Sequence, residues 1–368
     1  MRTKRIITTA GAVVATAALL AGCSTPAGSG TGATGAAAEQ VDLQLATYLA
    51  PTAPPAIAMQ WAADELNARS DGAISVEIFF AGSLLEGPDI LAGVAQNRAD
   101  MGLLTMSYNP GELPLTQATA VPFQNDDADA LSSALNELWE NNEPFQQEWL
   151  GNGVQPLTFI GAPTGIVSAK EPIESVDWFD GKNIRATSYT ANALEAVGAN
   201  PVGITLGEIY EGMERGTVDG YASMLMDTIT SASLHEVSPY VTATGLGTYG
   251  GNVVLISPTV WEGMSEENQA IFEEVFAEFP EHYLETYSGI EDETCDALIE
   301  AGGGVNVWDE SETQRWEDAV GDSVLNDWRS AVEGAGLDAE AFWEAYQSAL
   351  SENQREDFQS GMERCAER

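Results

Sequence analysis

From Val41 onward the chain alternates between the two hydrophobic periods, two for strands and 3.6 for helices. That alternation limits its fold more than any other feature. Val41-Asp42-Leu43-Gln44-Leu45-Ala46-Thr47-Tyr48 reads as a strand, and Pro51, Pro54 and Pro55 break it. A helix follows over 56–69, with Met59, Ala62, Ala63 and Leu66 on one face. Asp71-Gly72 ends it. Ile74, Val76, Ile78 and Phe80 then alternate as a second strand. A helix over 89–97 leads to a third strand over 101–105. Strands separated by helices imply a mostly parallel sheet. In such sheets ligands sit beyond the carboxyl ends of the strands. Here those ends point to Tyr48, to the 82–86 turn with Glu86, and to 105–109 with Thr105, Tyr108 and Asn109.

The pattern restarts after a helical stretch over 128–150. Strands are expected over 157–161, 183–187 and 218–224. Helices are expected over 190–197 and 208–215, closed by Gly198 and Gly216, with 201–205 extended between them. A further strand covers 252–256, and the chain beyond 265 reads as helical. This is more than one typical core holds, so two α/β lobes are expected with a cleft between them. The expected boundaries are 41–160 with 251–290 for lobe 1, and 161–250 with 291–368, including the C-terminal helices, for lobe 2. Tyr249 and Asn252, near the return crossing, join the candidate ligand contacts.

The N-terminus reads as a processing signal. Arg2, Lys4 and Arg5 precede an uncharged apolar run over 6–20, which meets Leu20-Ala21-Gly22-Cys23. That sequence resembles a bacterial lipobox. Residues 1–22 are thus expected to be a lipoprotein signal peptide and Cys23 the lipidated residue. Residues 23–40 are the expected linker; 24–38 hold only Ser, Thr, Pro, Ala and Gly. The protein would then be extracytoplasmic, held to the outer face of the cytoplasmic membrane by its lipid. No later segment reads as long and apolar enough to span. Cys295 and Cys365 remain, and both a disulfide and two separate buried thiols stay open.

The sequence carries 57 acidic and 14 basic residues, and three of the basic ones precede Cys23. So acidic a surface repels nucleic acid and anionic headgroups. It also shortens the search for an anion site to eleven Lys and Arg residues. Enzyme signatures are missing. Gly30-x-Gly32-x-x-Gly35 lies in the linker, and Gly245-x-Gly247-x-x-Gly250 leads into a strand rather than a helix. His235 and His282 have no second ligand at zinc spacing. The expectation is a protein with no cofactor, no metal and no enzymatic activity.

Four runs carry a resemblance. Trp178-Phe179-Asp180-Gly181-Lys182-Asn183-Ile184-Arg185 is followed by Gly198-Ala199-Asn200-Pro201, then Leu206-Gly207-Glu208-Ile209-Tyr210, then Gly216-Thr217-Val218-Asp219-Gly220. Gly82-Ser83-Leu84, Asn97-Arg98-Ala99-Asp100-Met101 and Pro122-Phe123 extend the series toward the N-terminus. The ordered set resembles the solute-binding proteins of tripartite ATP-independent periplasmic (TRAP) transporters, of the dicarboxylate-binding (DctP) type. It covers nearly the whole chain after Cys23.

The resemblance implies a two-lobed, periplasmic-binding-protein-like α/β fold with a long helix bridging the lobes. It also implies that Arg185 grips a ligand carboxylate, which a guanidinium meets with paired donors. Ser223 stands where the family often has Asn, and its hydroxyl is an expected ligand contact with fewer hydrogen-bonding groups than an amide. A second, upstream arginine has no counterpart in Gly161-Ala162-Pro163-Thr164-Gly165, and Leu206 replaces an aromatic residue. The expected ligand therefore has one clamped carboxylate and a modest, partly apolar body, rather than being a C4-dicarboxylate. The expected partners are this small organic acid and the membrane subunits of a TRAP transporter. The alternatives are an ABC-type or sensor-linked binding protein, or an extracellular lipoprotein hydrolase.

Overall fold

The computed structural model describes residues 40–248, 250–355 and 358–368. The expected signal peptide, Cys23, most of the expected linker, and Tyr249 lie outside the described residues. The strands are β1 (Val41–Thr47), β2 (Ile74–Phe79), β3 (Met101–Thr105), β4 (Gln155–Gly161), β5 (Ile166–Ala169), β6 (Asn183–Arg185), β7 (Asn200–Val202), β8 (Gly220–Met224), β9 (Tyr240–Ala243), β10 (Gly251–Ile256) and β11 (Gly304–Val307). The helices are α1 (Pro54–Arg69), α2 (Ile90–Ala95), α3 (Ala128–Asn141), α4 (Glu143–Gly151), α5 (Ser188–Glu195), α6 (Leu206–Arg215), α7 (Met226–Ser231), α8 (Pro258–Gly263), α9 (Glu266–Glu300), α10 (Glu310–Val320), α11 (Ser323–Gly334), α12 (Ala339–Asn353) and α13 (Gly361–Ala366).

Two sheets result. The first has the order β2-β1-β3-β10-β4, with β1 parallel to β2 and β3, and β10 antiparallel to β3 and β4. The second has the order β11-β9-β5-β8-β6-β7, with β6 parallel to β7 and β8, and β5 antiparallel to β8 and β9. Side chains alternate across a strand, so neighbours enter opposite layers. In the first sheet Leu103, Ile160, Val254 and Ile256 meet α1 and α9 through Met59, Leu66, Phe272 and Phe279. Their neighbours Leu104, Phe159, Val253 and Leu255 meet Leu131, Phe145 and Trp149 on the other side. With both faces covered, β10 is buried along its whole length. The second sheet divides likewise: Val167 and Ala222 pack with Phe179 and Trp316, and Ile166 and Tyr221 with Ile209 and Met213.

The lobes are joined several times. The chain crosses from β4 to β5 and returns from β9 to β10. Helix α9 has 35 residues, roughly 50 Å at 1.5 Å per residue. Its Phe272, Phe279 and Tyr287 belong to the first sheet's core and Leu298 to the second's. It is the expected bridging helix.

Two expectations need correction. Residues 291–368 were assigned to the second lobe, yet Trp328 and Val332 of α11, and Phe342, Tyr346 and Leu350 of α12, pack on Leu131, Leu135 and Phe145 in the first sheet's core. The aromatic faces of these helices cover α3 and α4, a pairing distant in sequence. The chain then recrosses, and Met362 of α13 joins the second core. Second, the stretch after 265 is not helical throughout, because β11 interrupts it and pairs with β9. Gly303 approaches the Pro239 carbonyl so closely that a Cβ there would overlap it. Of the two readings left open for the cysteines, the disulfide holds: Cys295 and Cys365 are bonded, with Cα atoms 5.7 Å apart, fastening α13 to α9.

Candidate ligand-binding site

Arg185 ends β6, paired with Val202 of β7 and Tyr221 of β8. Ile184 is buried in the second core, so strand alternation sends Arg185 to the other face. Three backbone carbonyls at neighbouring strand ends receive its guanidinium. Nε donates to Ile204 O at 3.2 Å, and Nη1 donates to Ala222 O at 3.2 Å and Ser223 O at 3.3 Å. These acceptors are backbone carbonyls, and they fix the guanidinium's plane. Ser223 has a left-handed backbone, φ 58°, a strained state for a residue with a Cβ. Its hydroxyl accepts from Thr187 N–H and donates to Thr187 O, both at 3.1 Å. The Ser223 side chain thus braces the turn beside Arg185. Leu206, at the start of α6 shortly after Ile204, is 45% exposed.

The first lobe gathers its candidates at the ends of β1, β3 and β10. Tyr48 OH shares a hydrogen bond of 2.5 Å with Thr105 Oγ1, which donates in turn to Asn252 Oδ1 at 2.8 Å. Burial above all, then the neighbouring Tyr108, pushes the Tyr48 hydroxyl well above the ordinary tyrosine range. The rings of Tyr48 and Tyr108 meet edge to face, centroids 4.9 Å apart. Gly87 lies flush against both rings, and a Cβ there would overlap Tyr108. The preceding Glu86 is exposed, with its carboxylate folded over Gly82. Asn109 is 8% exposed; its Nδ2 donates to Pro88 O at 3.1 Å, and its buried Oδ1 has no partner. Tyr48, Glu86, Tyr108, Asn109 and Asn252 are therefore neighbours.

One further contributor lies within the strand end that the sequence pointed to, and one escaped the sequence reading. Thr105 links Tyr48 to Asn252, and its position at a strand end signalled it. Asp227 lies on α7, just after the strand whose carbonyls hold Arg185. The adjacent Met226 N–H donates to Tyr287 OH at 3.1 Å, docking α7 on α9. Burial pushes the Asp227 carboxyl up, and its charge is felt at Tyr48, Tyr283 and Tyr287. No spacing in the sequence marks it.

A separate cavity of about 490 Å³ lies between residues 126–129, the 163–164 crossing, α9 and the C-terminal segment, lined in part by Leu284, Tyr287, Phe358 and Met362. None of the predicted ligand contacts among the described residues lines it. Among the described residues there is no cluster of His, Cys, Asp or Glu arranged for a metal ion, and no helix long and apolar enough to cross a membrane.

Comparison with known proteins places the chain. The ectoine-binding periplasmic protein TeaA of Halomonas elongata is 27% identical over 236 residues, which are 63% of this chain and 69% of TeaA. The C4-dicarboxylate-binding periplasmic protein DctP of Rhodobacter capsulatus is 24% identical over 281 residues, 76% of this chain and 80% of that protein. The fold is that of a TRAP solute-binding protein from an unidentified marine microbe, specific for aromatic acid ligands and solved with 3-hydroxybenzoate. The two superpose with a TM-score of 0.75 at 22% identity, covering 86% of this chain and all of the other. The model of the DctP family, bacterial extracellular solute-binding protein family 7, matches residues 45–330, and the chain belongs to that family.

Proposed function

We propose that this protein captures a small organic carboxylate outside the cytoplasmic membrane and delivers it to the membrane subunits of a TRAP-type secondary transporter. The observation that carries this reading is the Arg185 guanidinium, aimed by three backbone carbonyls at the strand ends of the second lobe. The ligand carboxylate docks on it, and the ligand body lies against the Tyr48–Tyr108 pair of the first lobe. The lobes close by hinge motion about the β4–β5 and β9–β10 crossings and α9. Binding proceeds without chemistry. A lipid on Cys23 keeps the protein beside its transporter and raises its effective concentration there.

The site suits one carboxylate with a partly apolar body. Leu206 and the two tyrosines supply apolar surface, and no second arginine takes part in the hydrogen bonds described around Arg185. The marine relative specific for aromatic acids supports this more closely than the C4-dicarboxylate binder does. A thermal-shift screen against an organic-acid library, with Arg185→Ala alongside, tests the reading. A ligand that binds the folded state raises the melting temperature. Stabilisation by carboxylates that disappears in the variant is the expected result. Stabilisation only by uncharged solutes, or stabilisation that survives the substitution, would overturn it.

A further inference from the structure

The cavity of about 490 Å³ has the volume of a small-molecule site, and it lies beside the hinge. The two crossings run side by side there, with Thr164 bridged to Thr248. The segment before α3 rests on both of them. Thr164 Oγ1 donates to Asp126 O at 3.0 Å, and Thr248 N–H donates to Asn125 O at 2.6 Å. Helix α9 and the segment leading into α13 complete the walls. Gly361 permits that close approach, because a Cβ there would overlap the Glu291 carboxylate.

The walls are unequal in charge. Among the described lining residues, Asp126, Asp127, Asp129, Glu285 and Glu291 face only Arg355 and Arg364. Both arginines are engaged. Arg355 pairs with Asp127 at 2.6 Å and with Asp129 at 3.4 Å, and lies over the Phe358 ring. Arg364 bonds to Glu291 and Ser288, both at 3.0 Å. None of these bonds reaches the Asp126 side chain. Asp126 is exposed by area, yet loss of solvation to the surrounding protein pushes its carboxyl up, and the negative charge of Glu363 adds to the effect. Asp126 therefore sits in a recess, crowded by protein and reachable from the cavity.

The rest of the wall includes the apolar side chains of Pro163, Leu284, Phe358 and Met362. An anion is repelled by such a lining. A bare metal ion finds no set of ligands, since no cluster of His, Cys, Asp or Glu among the described residues is arranged for one. An organic cation meets both features of the wall. Its charge favours the ionised form of Asp126, and its body covers apolar surface.

We propose that this cavity is a second ligand site, for a small organic ammonium ion whose nitrogen pairs with Asp126 and whose apolar body lies against Leu284, Phe358 and Met362. The proposal is independent of the carboxylate reading and uses none of its residues.

Calorimetric titration of the purified protein with phenethylamine and hexylamine, each set against the alcohol of nearly the same shape (2-phenylethanol and 1-hexanol), tests it. At least one amine is expected to bind saturably, and at least about tenfold tighter than its alcohol. Asp126→Asn is expected to weaken that amine about fivefold or more, while Arg185→Ala, and Glu274→Gln on an exposed turn of α9 outside the cavity, leave it within about twofold. The comparison of amine with alcohol on the unmodified protein stands even if a variant does not fold. The proposal is overturned if neither amine binds saturably, or if the alcohols bind as tightly. It is overturned equally by amine binding that survives Asp126→Asn, which assigns the amine to the general acidic surface, or that is lost in Arg185→Ala, which assigns it to the carboxylate site.

Discussion

Arg364 donates to Glu291 Oε2 and to Ser288, both at 3.0 Å, whereas the hydrogen bonds described for Arg185 go to backbone carbonyls. The contrast extends along the C-terminal segment. Arg355 pairs with Asp127 at 2.6 Å and with Asp129, and Arg368 pairs with Asp292 and Asp296. With the Cys295–Cys365 bond, these arginines fasten the last turns of the chain across α9 and the 126–129 segment. A guanidinium matched to a carboxylate of its own protein is a fastener. One oriented by backbone carbonyls at strand ends is placed where an arriving carboxylate could meet its paired donors. The partner, more than the residue type, separates the two uses.

The comparison can be broken in four places. The largest effect is expected at the fastener. Replacing both Cys295 and Cys365 by Ser frees a closure spanning 70 residues, worth about 4 kcal/mol of stability in the chain-entropy model. Denaturant unfolding measures this, and ligand affinity of the folded variant should stay within about twofold. Arg185→Ala should do the reverse, weakening carboxylate binding by about a hundredfold or more, near 3 kcal/mol, while moving the unliganded melting temperature little. If Arg185→Ala unfolds the protein and leaves affinity intact, the division of roles is wrong.

Acidity supplies the third test. Burial pushes Glu291 up to about 7 against the opposing pull of Arg364, and pushes Glu148 up to about 7 against hydrogen bonds from Thr116 and Leu115. In the unfolded chain such carboxyls titrate near 4.5. Between those values the folded state holds more protons than the unfolded one, so stability falls as pH rises toward and through 7. Each group should account for on the order of 2 kcal/mol between pH 5 and 8. Melting scans of Glu291→Gln and Glu148→Gln should each flatten part of that slope. The smallest effect is expected at Ser223→Ala, which removes both hydrogen bonds to Thr187 and leaves a left-handed alanine. A stability loss of about 1–2 kcal/mol should appear in denaturant unfolding, with a modest loss of affinity as the carbonyls beside Arg185 loosen.

Much of this architecture was legible in the chain. The strand–helix alternation over 41–105 and the apolar run of β10 follow from local periodicity, and the strand ends then named Tyr48, Tyr108 and Asn109 as neighbours. The order of motifs around Arg185 pointed to one residue among eleven Lys and Arg. What escaped depends on distant pairing. Ile166-Val167-Ser168-Ala169 of β5 and Gly304-Val305-Asn306-Val307 of β11 are four residues each, too short for a period to show, and become strands only beside β8 and β9. The return of Trp328 and Phe342 to the first core follows from shape fit against α3 and α4, which no spacing encodes. Asp227 is one acid among 57, and only the fold, which buries it at the start of α7, distinguishes it. Ser223 was read as a ligand contact from its alignment with a family Asn, but whether its hydroxyl could bond elsewhere depended on Thr187, whose place beside it only the fold reveals.

A crystal structure with a carboxylate found in the thermal-shift screen tests the central claim most directly. The account predicts the carboxylate oxygens within hydrogen-bond distance of the Arg185 guanidinium, roughly 3 Å, with the carbonyls of Ile204, Ala222 and Ser223 still in place behind it and the ligand body against Tyr48 and Tyr108. A carboxylate seated away from Arg185, or a ligand in the cavity beneath Phe358 and Met362 with the Arg185 side unoccupied, would contradict it.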